Sequence, residues 1–182
     1  MVDQRQIEML TSRVTDARGK ALETSTKAKQ SEKSVKAFRG NLKGLEVRAK
    51  KIKASSKSLA EIPKVLKTYV VKSTRLTKMS TEAKSAQTAR EKDMRQLITG
   101  FQKLEALRDK EDEKSKAKVE KMEPEIEALA DKITKGLRSV GSKYEKGRAL
   151  DKELHDIATE LLILESKTDA EIAEAEKTAK KK

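Results

Sequence analysis

This sequence has no cysteine and no tryptophan, and aromatic residues make up only 2% of its 182 positions. Without cysteine there is no disulfide framework and no thiolate zinc site. Without large aromatic side chains there is little to fill a thick globular core, because those residues bury the most apolar area each. Proline occurs twice and glycine seven times, so few positions force the chain out of a helix. No apolar run approaches the roughly 20 residues that a membrane-spanning helix needs. The opening "MVDQRQIEML" has no apolar h-region, so no secretory signal is expected and the expected location is the cytoplasm.

What the chain does have is charge, at 40% of its residues, in a composition of Ala, Glu, Lys, Leu and Arg that favours long helices and coiled coils. No period-two alternation suggests a strand, so the expected fold class is all-α. From Ile7, Leu10 and Val14, through Phe38, Leu45 and Ile52, to Leu59, Pro63, Leu66, Val70 and Ser73, seam positions recur by threes and fours in one frame. A helix of about 70 residues would be about 105 Å long. So long a seam in so polar a chain predicts long, kinked antiparallel helices in an elongated coiled-coil bundle, paired into a homodimer or higher homo-oligomer.

The seam varies along its length. Between Ala17 and Ser31 it holds only small residues, so residues 1–34 read as a weakly amphipathic basic N-terminal arm or helix extension and 35–182 as the long-helix bundle. Few large apolar groups fall between 77 and 88, which predicts a turn or frayed segment there. "RDKEDEKSKAK" at 108–118 has no Gly, Pro or Asn and reads as solvated helix. The seam then runs from Val119 through Ile126, Ile133, Val140, Leu150 and Leu161 to Leu164. Thr168 followed by Glu171 has capping-box spacing, which predicts that a last helix starts there. Pro63 and Pro124 sit inside helical patterns. Each either kinks a helix or opens a new one at its first turn.

Net charge is +13, and it is unevenly placed. Residues 1–80 hold 20 Lys and Arg against 7 Asp and Glu, and residues 81–182 hold 23 against 23. "RAKKIKASSK" alone carries Arg48, Lys50, Lys51, Lys53 and Lys57. A long basic surface calls for a polyanionic partner, either an anionic membrane or a nucleic acid. Nucleic acid is disfavoured, since no recognition motif is present and Phe38, Tyr69, Phe101 and Tyr144 fit helical seams rather than stacking platforms. Nothing points to catalysis. The lone histidine, His155, has no metal-ligand companions, and "GSKYEKG" lacks the Gly-Lys-Ser/Thr ending of a phosphate loop. No enzyme activity, metal or cofactor is expected.

Three stretches resemble the BAR domain, the curved dimeric membrane-binding fold of amphiphysin and endophilin. "SVKAFRGNLKGLEVRAKKIKASSKSLAEI" resembles the family's basic first helix. "LITGFQKLEALRDKEDEKSKAKVEKMEPEIEAL" resembles the first half of its second helix. "DKITKGLRSVGSKYEKGRALDKEL" resembles the basic continuation of that helix. On this resemblance only the residues after Thr168 remain for a third helix. It implies a peripheral protein that binds and bends anionic membranes as a dimer or polymer coat, with Pro63 and Pro124 as helix kinks. Its membrane-binding residues would be Lys132, Lys135, Arg138, Lys143, Lys146 and Arg148. The N-terminal arm would insert Ile7, Met9, Leu10 and Val14, with Arg5, Arg13 and Arg18 beside the lipid. The basic cluster from Arg48 to Lys57 would add to the membrane face. The ESCRT-III type of helical remodeller, with its basic N-terminal hairpin, shares the charge asymmetry. The alternative is a coiled-coil filament or scaffold subunit that binds no membrane.

Overall fold

Four short polar signals set where the helices begin and end. Asp3 caps the first: its Oδ1 accepts from the Gln6 amide at 2.7 Å. At the other end Lys53 takes up a left-handed conformation, φ 51°. The Ala54 amide then reaches the Ala49 carbonyl at 3.0 Å and the Lys53 amide reaches that of Lys50 at 3.3 Å. This is the Schellman arrangement, which satisfies carbonyls that the helix end leaves open. Ser56 caps the next helix, accepting from the Leu59 amide at 2.9 Å. Asp112 caps the third, accepting from the Ser115 amide at 2.9 Å and the Ser115 hydroxyl at 2.7 Å. The Ser115 hydroxyl, then its amide, hold the Asp112 carboxyl below its ordinary pKa. What this cap contributes is present above the carboxylate's ordinary pKa and lost as pH falls through the lowered one.

The computed structural model, which describes residues 2–110 and 112–179, accordingly contains three helices: α1 (Gln4–Lys51), α2 (Lys57–Arg108) and α3 (Glu113–Ala179). They are 48, 52 and 67 residues long. No strand occurs among the described residues, so the protein is all-α. The single frame expected from Ile7 to Ser73 is broken at 52–56. Lys53 sits where glycine is usual. Lys53→Gly relieves the left-handed strain of a side-chain-bearing residue and is expected to stabilise the fold by about 1 kcal/mol, read by thermal denaturation.

Three further expectations are corrected. Residues 77–88 form no turn; α2 runs through them, because Ser80, Ala83 and Gln87 continue the seam and are buried. The stretch 108–118 is not continuous helix, since Asp112 supplies a cap without any glycine or proline. No helix starts at Thr168, which is fully buried well inside α3 and exposes no capping hydroxyl. The third helix begins instead at Glu113 and carries residues 168–179 as its last turns. Pro63 and Pro124 both lie more than one turn inside their helices, so neither opens one. Each instead leaves the carbonyl four residues back, of Leu59 and of Glu120, without its helical donor.

The chain forms two compact units. One, here unit 1, is Met1–Ser25 with Met79–Lys146; unit 2 is Thr26–Lys78 with Gly147–Lys182. Residue 34 lies within α1, which passes through it uninterrupted. Unit 1 is held by Ile7, Leu10 and Val14 of α1, Leu97, Phe101 and Leu104 of α2, and Ile126, Ile133 and Val140 of α3. Its α2–α3 pairs, Glu82 with Lys143, Asp93 with Lys132 and Arg108 with Glu123, run in opposite numerical directions. There the two helices are antiparallel.

Asp93 is buried, at 2.8 Å from the Lys132 ammonium and 3.3 Å from the Arg90 guanidinium. Arg90 also donates to the Lys132 carbonyl at 2.8 Å. Gly136 makes room for it: a Cβ there would collide with the Arg90 side chain. Gly136→Ala is therefore expected to push the Arg90 guanidinium off the Lys132 carbonyl, a loss of about 1 kcal/mol that offsets what alanine gains over glycine inside a helix, so that chemical denaturation shows little net change.

In unit 2, Phe38 and Tyr69 meet edge to face at 5.5 Å. Ser31 donates to the Ala28 carbonyl at 2.8 Å. Its hydroxyl is therefore left to accept from Ser73, also at 2.8 Å, in a buried pair that satisfies both side chains. These contacts, with Glu32–Thr77, set α1 and α2 antiparallel. Lys27–Asp151, Asn41–Glu165 and Arg48–Asp169 set α1 parallel to α3.

Candidate functional site

On α1 the core seam has two flanks, and the observed partners identify both. One flank faces α3: Lys20 lies 5.8 Å from the Tyr144 ring centre, and Lys27, Asn41 and Arg48 reach Asp151, Glu165 and Asp169. The other faces α2: Arg18 meets Glu91 and Glu32 meets Thr77. Outside both flanks runs a row at every seventh residue: Lys29, Lys36, Lys43 and Lys50, all exposed. Successive members are about 10.5 Å apart along the helix. On α2 of the same unit, Lys72 turns to Glu153 on α3, whereas Lys57, Lys64, Lys67 and Lys78 are exposed outside the seam.

The excess positive charge is confined more narrowly than to the first 80 residues. Residues 26–78 hold 16 Lys and Arg against 3 Asp and Glu, a net of +13 that equals the whole excess. Residues 1–25 hold four of each sign and are neutral. In α3, 13 basic residues face 16 acidic ones. The α3 carboxylates that touch α1 and α2 neutralise the inner flanks only. The outward lysine rows keep their charge. In Glu153, the Lys72 contact holds the carboxyl below its ordinary pKa.

The sequence-predicted residues divide accordingly. Lys50, Lys51, Lys53 and Lys57 are exposed in unit 2, on or near these rows, and Arg148 is exposed in its α3 part. Arg48 is half-buried and paired with Asp169 and Glu176. Lys132, Lys135, Arg138, Lys143 and Lys146 belong to unit 1. There Lys132 and Lys143 are paired with α2 carboxylates, and Lys135, Arg138 and Lys146 are exposed. Arg5, Arg13 and Arg18 are exposed on a neutral stretch. Of the four arm residues expected to insert, Ile7, Leu10 and Val14 are buried in the core of unit 1, and only Met9, 50% exposed, is accessible. Insertion by the other three requires that core to open.

Sequence reading passed over Lys29, Lys36, Lys43, Lys64, Lys67 and Lys78. The seven-residue recurrence of the α1 row was visible in principle; it was hidden among many lysines until the α3-facing ones could be set aside. Among the described residues no group of His, Asp or Glu is arranged to hold a metal, and no helix is long and apolar enough to cross a membrane. The chain matches no protein-family model, no curated protein and no solved structure.

Proposed function

We propose that the protein binds anionic membrane surfaces peripherally through the basic α1–α2 face of unit 2. It does so as a homodimer or polymer coat of long antiparallel helices, in the manner the BAR resemblance implies. The observation that carries this reading is the placement of the full +13 excess within residues 26–78. Each lysine near an anionic bilayer contributes about 1 kcal/mol of attraction. Phe38 and Tyr69 are buried, so the face offers lysines without the aromatic platforms on which single-stranded nucleic acid stacks. A filament subunit without membrane binding needs the helices but gives no reason for so concentrated a charge.

Co-sedimentation with vesicles tests the proposal. The protein is expected to pellet with phosphatidylserine-containing vesicles at low salt, less so at moderate salt, and not with purely zwitterionic ones. Helical protein that stays in the supernatant with both at low salt overturns it.

A further inference from the structure

The α1–α2 tip, unlike the outward lysine rows, has an anionic partner within its own chain. At the α1–α2 turn of unit 2 the last part of α3 brings three carboxylates against the basic tip. Arg48 pairs with Asp169 and, at 3.6 Å, with Glu176. Glu171 accepts from the Ser58 hydroxyl at 2.9 Å beside the first turn of α2. Positive helix-dipole ends attract such anions, and Ser56 and Ser58 hold the Glu171 carboxyl below its ordinary pKa. Behind these carboxylates, Thr168 and Ile172 are fully buried and fix the segment in place.

We propose that the segment 169–176 is an acidic strap, an intramolecular anion that occupies the α1–α2 tip and competes with an anionic membrane for Arg48 and the α2 N-terminus. The inference rests on the membrane reading above and adds its regulation. An approaching anionic surface and the strap seek the same cations, so binding at the tip requires Arg48 to exchange partners. The lysine row from Lys29 to Lys43 is not strapped and makes the first contact.

The test compares three proteins on vesicles of phosphatidylserine and phosphatidylcholine. One is the unaltered chain. The second carries Asp169→Asn, Glu171→Gln and Glu176→Gln. The third carries Glu113→Gln, Glu120→Gln and Glu125→Gln, an equal charge change at exposed α3 positions of unit 1. The strap variant is expected to bind about tenfold more tightly than the control variant. Equal affinity of the two variants overturns the strap and leaves membrane binding standing. Binding by all three, tightest for the strap variant, supports the strap. No binding by any of the three overturns both, since freeing the tip then exposes nothing that lipid attracts. Far-UV circular dichroism checks folding. If the triple variant unfolds, Glu171→Gln alone carries the test, with a smaller gain expected and no gain over Glu120→Gln overturning it.

Discussion

Replacing Lys29, Lys36, Lys43 and Lys50 together by glutamine is expected to weaken binding to phosphatidylserine-rich vesicles by roughly a thousandfold at physiological salt. The magnitude follows from four lysines at about 1 kcal/mol each, with tenfold in affinity for every 1.4 kcal/mol. The fold should be indifferent, because all four are exposed and surface substitutions away from special features stay within about 0.5 kcal/mol. Their spacing of about 10.5 Å exceeds the Debye length of about 8 Å at physiological salt. Each lysine therefore meets its own headgroup there rather than sharing one, and their losses should add. The matched control is Lys114, Lys116, Lys118 and Lys121 to glutamine, which removes the same charge from exposed positions of α3 in unit 1. If the control loses as much affinity, net charge alone drives binding and the face has no special role.

That row was legible only in part. Its lysines were counted in the basic half, but the sequence could not say which lysines would turn inward to α3 carboxylates, because the helix-to-helix register was unknown. Lys27 and Lys29 are two residues apart and have opposite fates: Lys27 meets Asp151, and Lys29 stays outward. The α1 seam itself was read nearly residue by residue, since threes and fours of apolar and small residues leave little freedom in which face turns inward. What failed were the boundaries. The break at 52–56 has no glycine or proline and depends on a lysine in a left-handed conformation. The segment 77–88 looked weak because Ser80, Ala83 and Gln87 are small or polar, yet small buried residues also let helices approach closely. Thr168 and Glu171 had capping-box spacing, but a threonine on the core seam of a long helix serves packing instead. Local signals were read correctly as chemistry and wrongly as location, since tertiary burial decided between them.

Leu10→Ala is expected to destabilise the protein by about 3 kcal/mol. Leu10 is 1% exposed in the core of unit 1, and truncating a buried leucine costs the lost transfer energy plus a cavity. Met9, its neighbour, is half exposed, so Met9→Ala should change stability by no more than about 0.5 kcal/mol. Chemical denaturation of the two variants, paired with vesicle binding, separates two roles for the N-terminal stretch. If residues 7–14 are part of the folded core, Leu10→Ala lowers the unfolding midpoint and leaves the vesicle affinity of the folded protein intact, because residues 1–25 carry no net charge to attract lipid. If they leave the core to insert as an amphipathic arm, the pattern reverses: vesicle affinity falls for Leu10→Ala and Met9→Ala alike, and stability changes little. The first pattern is expected, because Ile7, Leu10 and Val14 each gain about 1.5–3 kcal/mol from burial in the protein, and lipid would have to repay that burial before any insertion became favourable.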